Sequence, residues 1–274
     1  MILTGAQGIV GESRTARLRV TNGLLEYDVA GHGRAVILIH GGLVDRRMWD
    51  SQVSWLAAKY RVVRYDLRGL GRSSNATTAY SPLDDLDQLM KHLKIQKPIL
   101  VGLSLGGMVA MDFALEHPER VEALVLCAPG LRGFPSSPSE QLKAAYRALY
   151  TNDPDGIDKL LDTGLGAVTS EARSKMRLML NQNVRRALGA DGKLVQWPMP
   201  PTIERLPQIH APTLVLIGTD DEPDLIAIAD LLAQKIPSAT KIVLPGARHH
   251  MNLDVPERFD QQVRDFVAGL PRRR

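Results

Sequence analysis

Apolar and polar residues alternate in two short stretches near the start of the chain, Arg14 to Thr21 and Leu24 to Ala30. Such alternation marks half-buried strands, and Asn22-Gly23 between them is the dipeptide of a type I′ hairpin. Further on the rhythm changes. Ala35 to Ile39 and Val121 to Cys127 are continuous apolar runs, the mark of strands buried on both faces, and Arg61 to Tyr65 reads as another strand. Pro98 to Leu103, Pro212 to Ile217 and Lys241 to Leu244 complete the set. Helical spacing separates them: Met48 to Lys59 with Trp49, Val53 and Leu56 on one face, then Tyr80 to Leu93 with Ser81 as cap and Pro82 at the first position. Leu225 to Ile236 and Pro256 to Leu270 follow the same spacing. Strands alternating with helices predict an α/β fold, a mostly parallel sheet covered on both faces.

Between Arg132 and Leu206 no strand interrupts three helical segments, Gln141 to Tyr150, Gly156 to Leu161 and Glu171 to Leu188. This stretch reads as a helical cap inserted into the sheet, ending in the stiff connector Trp197-Pro198-Met199-Pro200-Pro201. The expected division is residues 1–131 and 207–274 for the core and 132–206 for the cap. The cap leaves the sheet after a strand end, so it is expected to roof the site there, with Leu142, Tyr146, Leu165 and Trp197 as candidates to face it, although helical spacing more often makes such residues cap core than pocket wall.

The sharpest local signal is Gly102-Leu103-Ser104-Leu105-Gly106, set between an apolar strand and the helical segment from Met108 to Leu115. The five letters alone are weak; a strand before and a helix after make them a nucleophile elbow. Such a turn forces Ser104 to positive φ and lifts its hydroxyl clear of the sheet. Gly102 and Gly106 have no Cβ to collide where strand and helix crowd together. The helix N-terminus points free N–H groups to where negative charge would develop.

Ligands in open parallel sheets bind beyond the carboxyl ends of the strands. Those ends carry His40-Gly41-Gly42, Asp66, Ser104, Asp220-Asp221 and His249-His250. Serine, acid and histidine follow in the order of the α/β-hydrolase triad. From about Val20 to Leu270 the chain resembles the α/β-hydrolase fold, through His40-Gly41-Gly42, Asp66-x-Arg68-Gly69-x-Gly71-x-Ser73, Gly102-x-Ser104-x-Gly106-Gly107, Gly218-x-x-Asp221, and His249 seven residues before Pro256. The resemblance implies Ser104 as nucleophile, His249 as base and Asp221 as the acid that orients it. It implies an oxyanion hole from the N–H groups of Leu105 and Gly42. Asp220 is the rival for the acid, the other of the two then capping the following helix. His250 reads as a residue that supports its neighbour or stands at the rim, or more plainly as a partly exposed loop histidine. His40 is expected to fix the oxyanion loop, and Asp66 with Arg68 to pin theirs through a charge-assisted hydrogen bond.

Two positions depart from the family pattern: Leu70, where many members have His, and Arg248, where many have Gly. The second puts a cation beside the base, to lower the basicity of His249 or attract an anionic substrate. Gly102 to Met108 and His117-Pro118-Glu119-Arg120-Val121 are most similar to 3-oxoadipate enol-lactonases and related carboxylesterases. That similarity implies a serine esterase or lactonase working through an acyl-enzyme on a small ester or lactone. Carbon–carbon bond hydrolases and cofactor-free perhydrolases share the same set of residues, and a non-catalytic receptor that keeps the pocket is the rival of another class.

Composition narrows the rest. The chain has 274 residues, 44% of them hydrophobic, a net charge of +4 and one cysteine. No intrachain disulfide is possible, and a reducing, cytoplasmic setting fits. Cys127 sits in an apolar run and reads as a buried small hydrophobe. Part of the positive charge is the terminal Arg272-Arg273-Arg274, a solvated tail, and no basic face with interleaved aromatics points to nucleic acid. No window approaches a membrane span, and the first twenty residues hold no signal peptide. No His, Cys, Asp or Glu group has metal-ligand spacing, and the glycine turns lack a nucleotide-binding context, so no metal or organic cofactor is expected. His32, His92, His117 and His210 read as surface residues.

Overall fold

The computed structural model describes residues 13–189 and 192–271. The N-terminal dozen, read above as a loosely held arm, and the Arg272–Arg274 tail lie outside the described residues.

Strands β1 (Arg14–Val20) and β2 (Gly23–Ala30) form the expected hairpin, but its turn is Thr21-Asn22, with Val20 paired to Gly23. Only Asn22 has positive φ (+54°), whereas a type I′ turn needs two such residues. Gly23 serves packing instead: a Cβ there would lie 2.6 Å from the Arg68 guanidinium.

The chain continues through β3 (Ala35–Ile39), a 3₁₀ turn (Arg46–Trp49), α1 (Asp50–Leu56) and β4 (Arg61–Tyr65). The helix is shorter than its spacing predicts, because Asp45 caps the 3₁₀ turn at Arg47 N–H and the chain closes back on the Leu56 carbonyl. Next come α2 (Pro82–His92), capped by Ser81 as expected, β5 (Ile99–Leu103), α3 (Leu105–Glu116) and β6 (Ala123–Cys127). The helical insertion is α4 (Glu140–Tyr150), α5 (Gly156–Asp162) and α6 (Ser170–Leu188). The sheet resumes with β7 (Thr213–Gly218), α7 (Pro223–Lys235) and β8 (Ala239–Leu244), and α8 (Met251–Asp254) and α9 (Pro256–Gly269) close the chain.

The eight strands order as β1-β2-β4-β3-β5-β6-β7-β8, antiparallel from β1 to β4 and parallel from β4 to β8. Helices cover the sheet: Trp49 beside α1 stacks near Phe259 of α9, and α2 packs against α3. The chain runs from β3 outward to β4 and then back to β5 on the other side of β3. Such a reversal opens a crevice at the carboxyl ends of β3 and β5, where His40-Gly41-Gly42 and Ser104 stand. The insertion has its own small core, in which Leu142, Leu149, Leu161, Met176 and Leu180 are buried together. Leu43 and Leu253 from the sheet side pack against it. Among the described residues no helix is long and apolar enough to cross a membrane.

Candidate active site

Ser104 sits between β5 and α3 at φ +53° and ψ −113°, and its N–H donates to the Cys127 carbonyl. The sharp turn depends on its glycines. A Cβ on Gly102 would lie 2.4 Å from the Gly106 carbonyl oxygen, and one on Gly106 2.2 Å from that of Ile39. Cys127 is fully buried, and burial pushes its thiol well above the ordinary range.

A cavity of about 80 Å³ lies against Ser104, lined also by Gly42, His249 and His250. Its remaining wall is Leu43, Val44, Tyr146, Leu160, Leu165, Met176 and Leu180, so the insertion contributes five of these side chains. Of the four cap residues expected to face the site, Tyr146 and Leu165 do. Leu142 is buried in the cap's own core, and Trp197 packs on the main core with Arg132 over its ring.

Of the two adjacent acids, Asp221 is the one that meets the histidine, with Oδ2 3.2 Å from His249 Nδ1. Both side chains are buried. Asp221 Oδ1 takes the Glu222 N–H at 2.8 Å. Asp220 is exposed and accepts from the Thr219 hydroxyl; it does not cap α7, whose cap position is Glu222. With Nδ1 facing the carboxylate, His249 Nε2 is the nitrogen left for the cavity. Among the described residues the N–H groups of Gly42 and Leu105 have no hydrogen-bond partner. Leu43, next to Gly42, holds the left-handed conformation (φ +65°), a strain of about 1 kcal/mol of the kind that gathers at functional sites.

Of the readings of His250, the structure bears out the supporting neighbour and not the rim or exposed residue. His250 is only 4% exposed, its Nδ1 lies 3.2 Å from the Leu165 carbonyl, and its ring meets that of His249 edge to face at 5.2 Å. Burial first and then neighbouring His249 push its pKa down to about 3, against the Leu165 and Gly166 backbone bonds that favour the proton. The ring is therefore neutral, and Nε2 has no partner among the described residues. Nothing local in the sequence signals this, since the burying segment lies 85 residues earlier in the chain.

His40 is fully buried and bonded at both nitrogens, Nδ1 to the Gly41 carbonyl at 2.7 Å and Nε2 to the Leu67 N–H at 2.9 Å. Burial holds its pKa below the usual range, which outweighs the pull of Asp66. The loop after β4 is pinned differently from expectation. Asp66 pairs with Arg46 and takes the Arg46 and Arg72 N–H groups, while Arg68 pairs with Asp85 through two bonds. Arg46 also reaches Glu26 at 2.8 Å and Asp28 at 3.0 Å, and so ties three acids together. The Arg248 guanidinium is engaged by the cap, donating to the Leu161 carbonyl at 3.2 Å, and its backbone N–H donates to Asp254 at 3.0 Å. Leu70 is buried. Of the four histidines read as surface residues, His32, His92 and His210 are exposed and His117 is half-buried.

A family model of the alpha/beta hydrolase fold matches residues 34–256, and the chain belongs to that family. It is 28% identical to the 2-hydroxy-6-oxononadienedioate/2-hydroxy-6-oxononatrienedioate hydrolase of Comamonas testosteroni, over 95% of this chain and 99% of that one. Among solved structures, a thermophilic esterase from Thermogutta terrifontis is 28% identical with a TM-score of 0.77, covering 94% of this chain and 99% of that one. The enol-lactonase from Burkholderia xenovorans LB400 is 25% identical with a TM-score of 0.74, covering 92% and 100%. The protein is a hydrolase of this fold.

Proposed function

We propose that the protein is a serine hydrolase of small, uncharged carboxylic esters or lactones. The observation that carries this reading is the meeting of Ser104 and His249 at one cavity, with Asp221 on the far nitrogen of the same imidazole. Ser104 Oγ attacks the ester carbonyl while His249 Nε2 takes its proton, and Asp221 stabilises the imidazolium. The carbonyl oxygen gains the negative charge and is bound by the Leu105 and Gly42 N–H groups. Collapse breaks the C–O bond, and His249 returns the proton to the departing alcohol. Water then attacks the acyl-enzyme by the same route and restores the serine. No metal or organic cofactor is called for.

Size and charge support the substrate class. Sites for drug-sized ligands run to about 300–1,000 Å³, against about 80 Å³ here. The cavity wall carries no Lys or Arg, while the carboxylates of Asp221 and Glu222 are buried beside the base loop. A short neutral acyl group fits such a wall, and a dicarboxylate finds no cation to receive it. The relationship to the Comamonas enzyme keeps carbon–carbon bond hydrolysis as the second reading.

A panel of p-nitrophenyl acetate, butyrate and octanoate, a small lactone and a vinylogous diketone acid separates these readings. Turnover of the acetate and butyrate, weaker for the octanoate and lost in Ser104→Ala, is the expected result. Preferred cleavage of the diketone acid would install the second reading, and no turnover of any ester would leave a receptor.

A further inference from the structure

The roof of the cavity is also bonded to the loops that hold the acid and the base. The junction is Gly164, between α5 and α6. Its N–H donates to Glu222 Oε1 at 3.1 Å, and its carbonyl accepts the His249 N–H at 3.0 Å. One residue of the cap thus spans from the neighbour of Asp221 to His249 itself. The fit has no slack: a Cβ on Gly164 would lie 2.7 Å from the Glu222 nitrogen and 2.9 Å from the Asp221 carbonyl carbon. Both are backbone atoms and cannot swing aside as a side-chain tip would. Glu222 is 5% exposed, and its carboxylate is committed to this contact, with Oε2 unpartnered among the described residues. Neighbouring bonds hold the same two segments together, from Val168 N–H to Asp254 at 2.7 Å and from His250 Nδ1 to the Leu165 carbonyl.

We propose that the Glu222–Gly164–His249 bridge sets the separation of the acid and the base, so that Glu222 and Gly164 are positioning residues for catalysis. The inference rests on the serine-hydrolase reading above. Its physical basis is the sensitivity of proton transfer to geometry: the Asp221–His249 contact can tighten or lengthen only as the two loops move together or apart. A cap that merely roofed the cavity would change how substrate binds. A cap that spaces the triad changes the rate of the bound complex instead.

The test is kcat and KM for p-nitrophenyl acetate in the full chain and in Gly164→Ala, Glu222→Ala and Glu222→Gln. In Gly164→Ala kcat is expected to fall about thirtyfold, with KM held within about threefold. Glu222→Ala is expected to lose about tenfold in kcat, and Glu222→Gln, whose amide oxygen accepts the same N–H, to recover most of that loss. The Glu222 variants add no volume, so they carry the test should Gly164→Ala fail to fold. A rise in KM with kcat intact overturns the proposal, as does a Gln variant no better than Ala. Reaction of the wild type with a fluorophosphonate at Ser104 separates the two levels. Without it the function reading fails and this inference with it; with it, an unchanged kcat in the variants defeats the inference alone.

Discussion

The two sides of the cavity are held by different chemistry. The loops after β3 and β4, which carry Gly42 and Asp66, are cross-linked by charge, with Arg46 joining the buried Glu26, Asp28 and Asp66, and Arg64 joining Asp28 and the exposed Asp50. The loops after β7 and β8, which carry Asp221 and His249, are hydrogen-bonded to each other, as from the Asp220 N–H to the Ala247 carbonyl, and to the cap at Gly164, Leu165 and Val168. Each side has a buried histidine whose pKa burial lowers. His40 is satisfied at both nitrogens by core backbone, whereas His250 is bonded only through Nδ1, to the cap, with Nε2 unpartnered among the described residues. The difference separates the two sides: the Gly42 side is tied together by ion pairs, and the Asp221–His249 side is bonded to the cap.

The largest effect expected is chemical. His249→Ala is predicted to cost about 10³-fold or more in kcat, the residual rate coming from the oxyanion hole and binding. His250→Ala is predicted to cost about tenfold, because it frees the Leu165 carbonyl and loosens its neighbour. Steady-state rates on p-nitrophenyl acetate check both, and the reverse order would move the base to position 250.

Next in size is the stability contrast between the two sides. Arg46→Ala removes the cation shared by Glu26, Asp28 and Asp66, leaving Asp28 to Arg64 and Glu26 to Arg17, and is predicted to cost about 3 kcal/mol in urea unfolding. Asp254→Ala, on the cap side, removes an acceptor for the Val168 and Arg248 N–H groups and is predicted to cost about 1 kcal/mol. Equal costs would erase the distinction between a charge-locked side and a cap-held side.

The third contrast is in pH. His250 has an ordinary value of 6.5 when unfolded and about 3 when folded. The unfolded chain therefore takes up a proton that the folded chain refuses, and stability is full above about pH 6.5 and falls as pH drops toward 3. Its share is about 1.4 kcal/mol per pH unit, or about 2 kcal/mol between pH 6.5 and 5. His40 acts in the same direction from the core side. Below about pH 4 Asp28 adds to the loss. Its burial would raise its pKa, but Thr15, Arg46 and Arg64 outweigh that and hold it lower, so its contribution goes as it protonates. Unfolding curves at pH 6.5 and 5 for the wild type and His250→Phe measure the cap-side share. An unchanged slope in the variant would show that His250 does not carry it.

Much of the core was legible because its signals are local. Ala35–Ile39 and Arg61–Tyr65 are strands with the bounds that their patterns predict, and Ser81-Pro82 starts α2 where capping chemistry puts it. The elbow could be read because strand, serine and glycines are contiguous. What could not be read depends on partners far apart in sequence. Asp66 and Arg68 were legible as pinning residues, but their partners Arg46 and Asp85 carry no motif that links them. Gly23 looked like a turn residue and is instead the floor under Arg68. The burial of His250 and the Gly164 bridge come from the cap folding back over the loops after β7 and β8, which no window of the sequence spans.

Ser104 as the nucleophile is the claim on which the rest depends, and covalent labelling reaches it directly. Wild-type protein treated with a fluorophosphonate, digested and mapped by mass spectrometry is predicted to carry one adduct per chain, on Ser104. Ser104→Ala is predicted to carry none, and His249→Ala to label about 10³-fold more slowly. Ester turnover with no adduct at Ser104, or an adduct on a different residue that abolishes activity, would contradict the account.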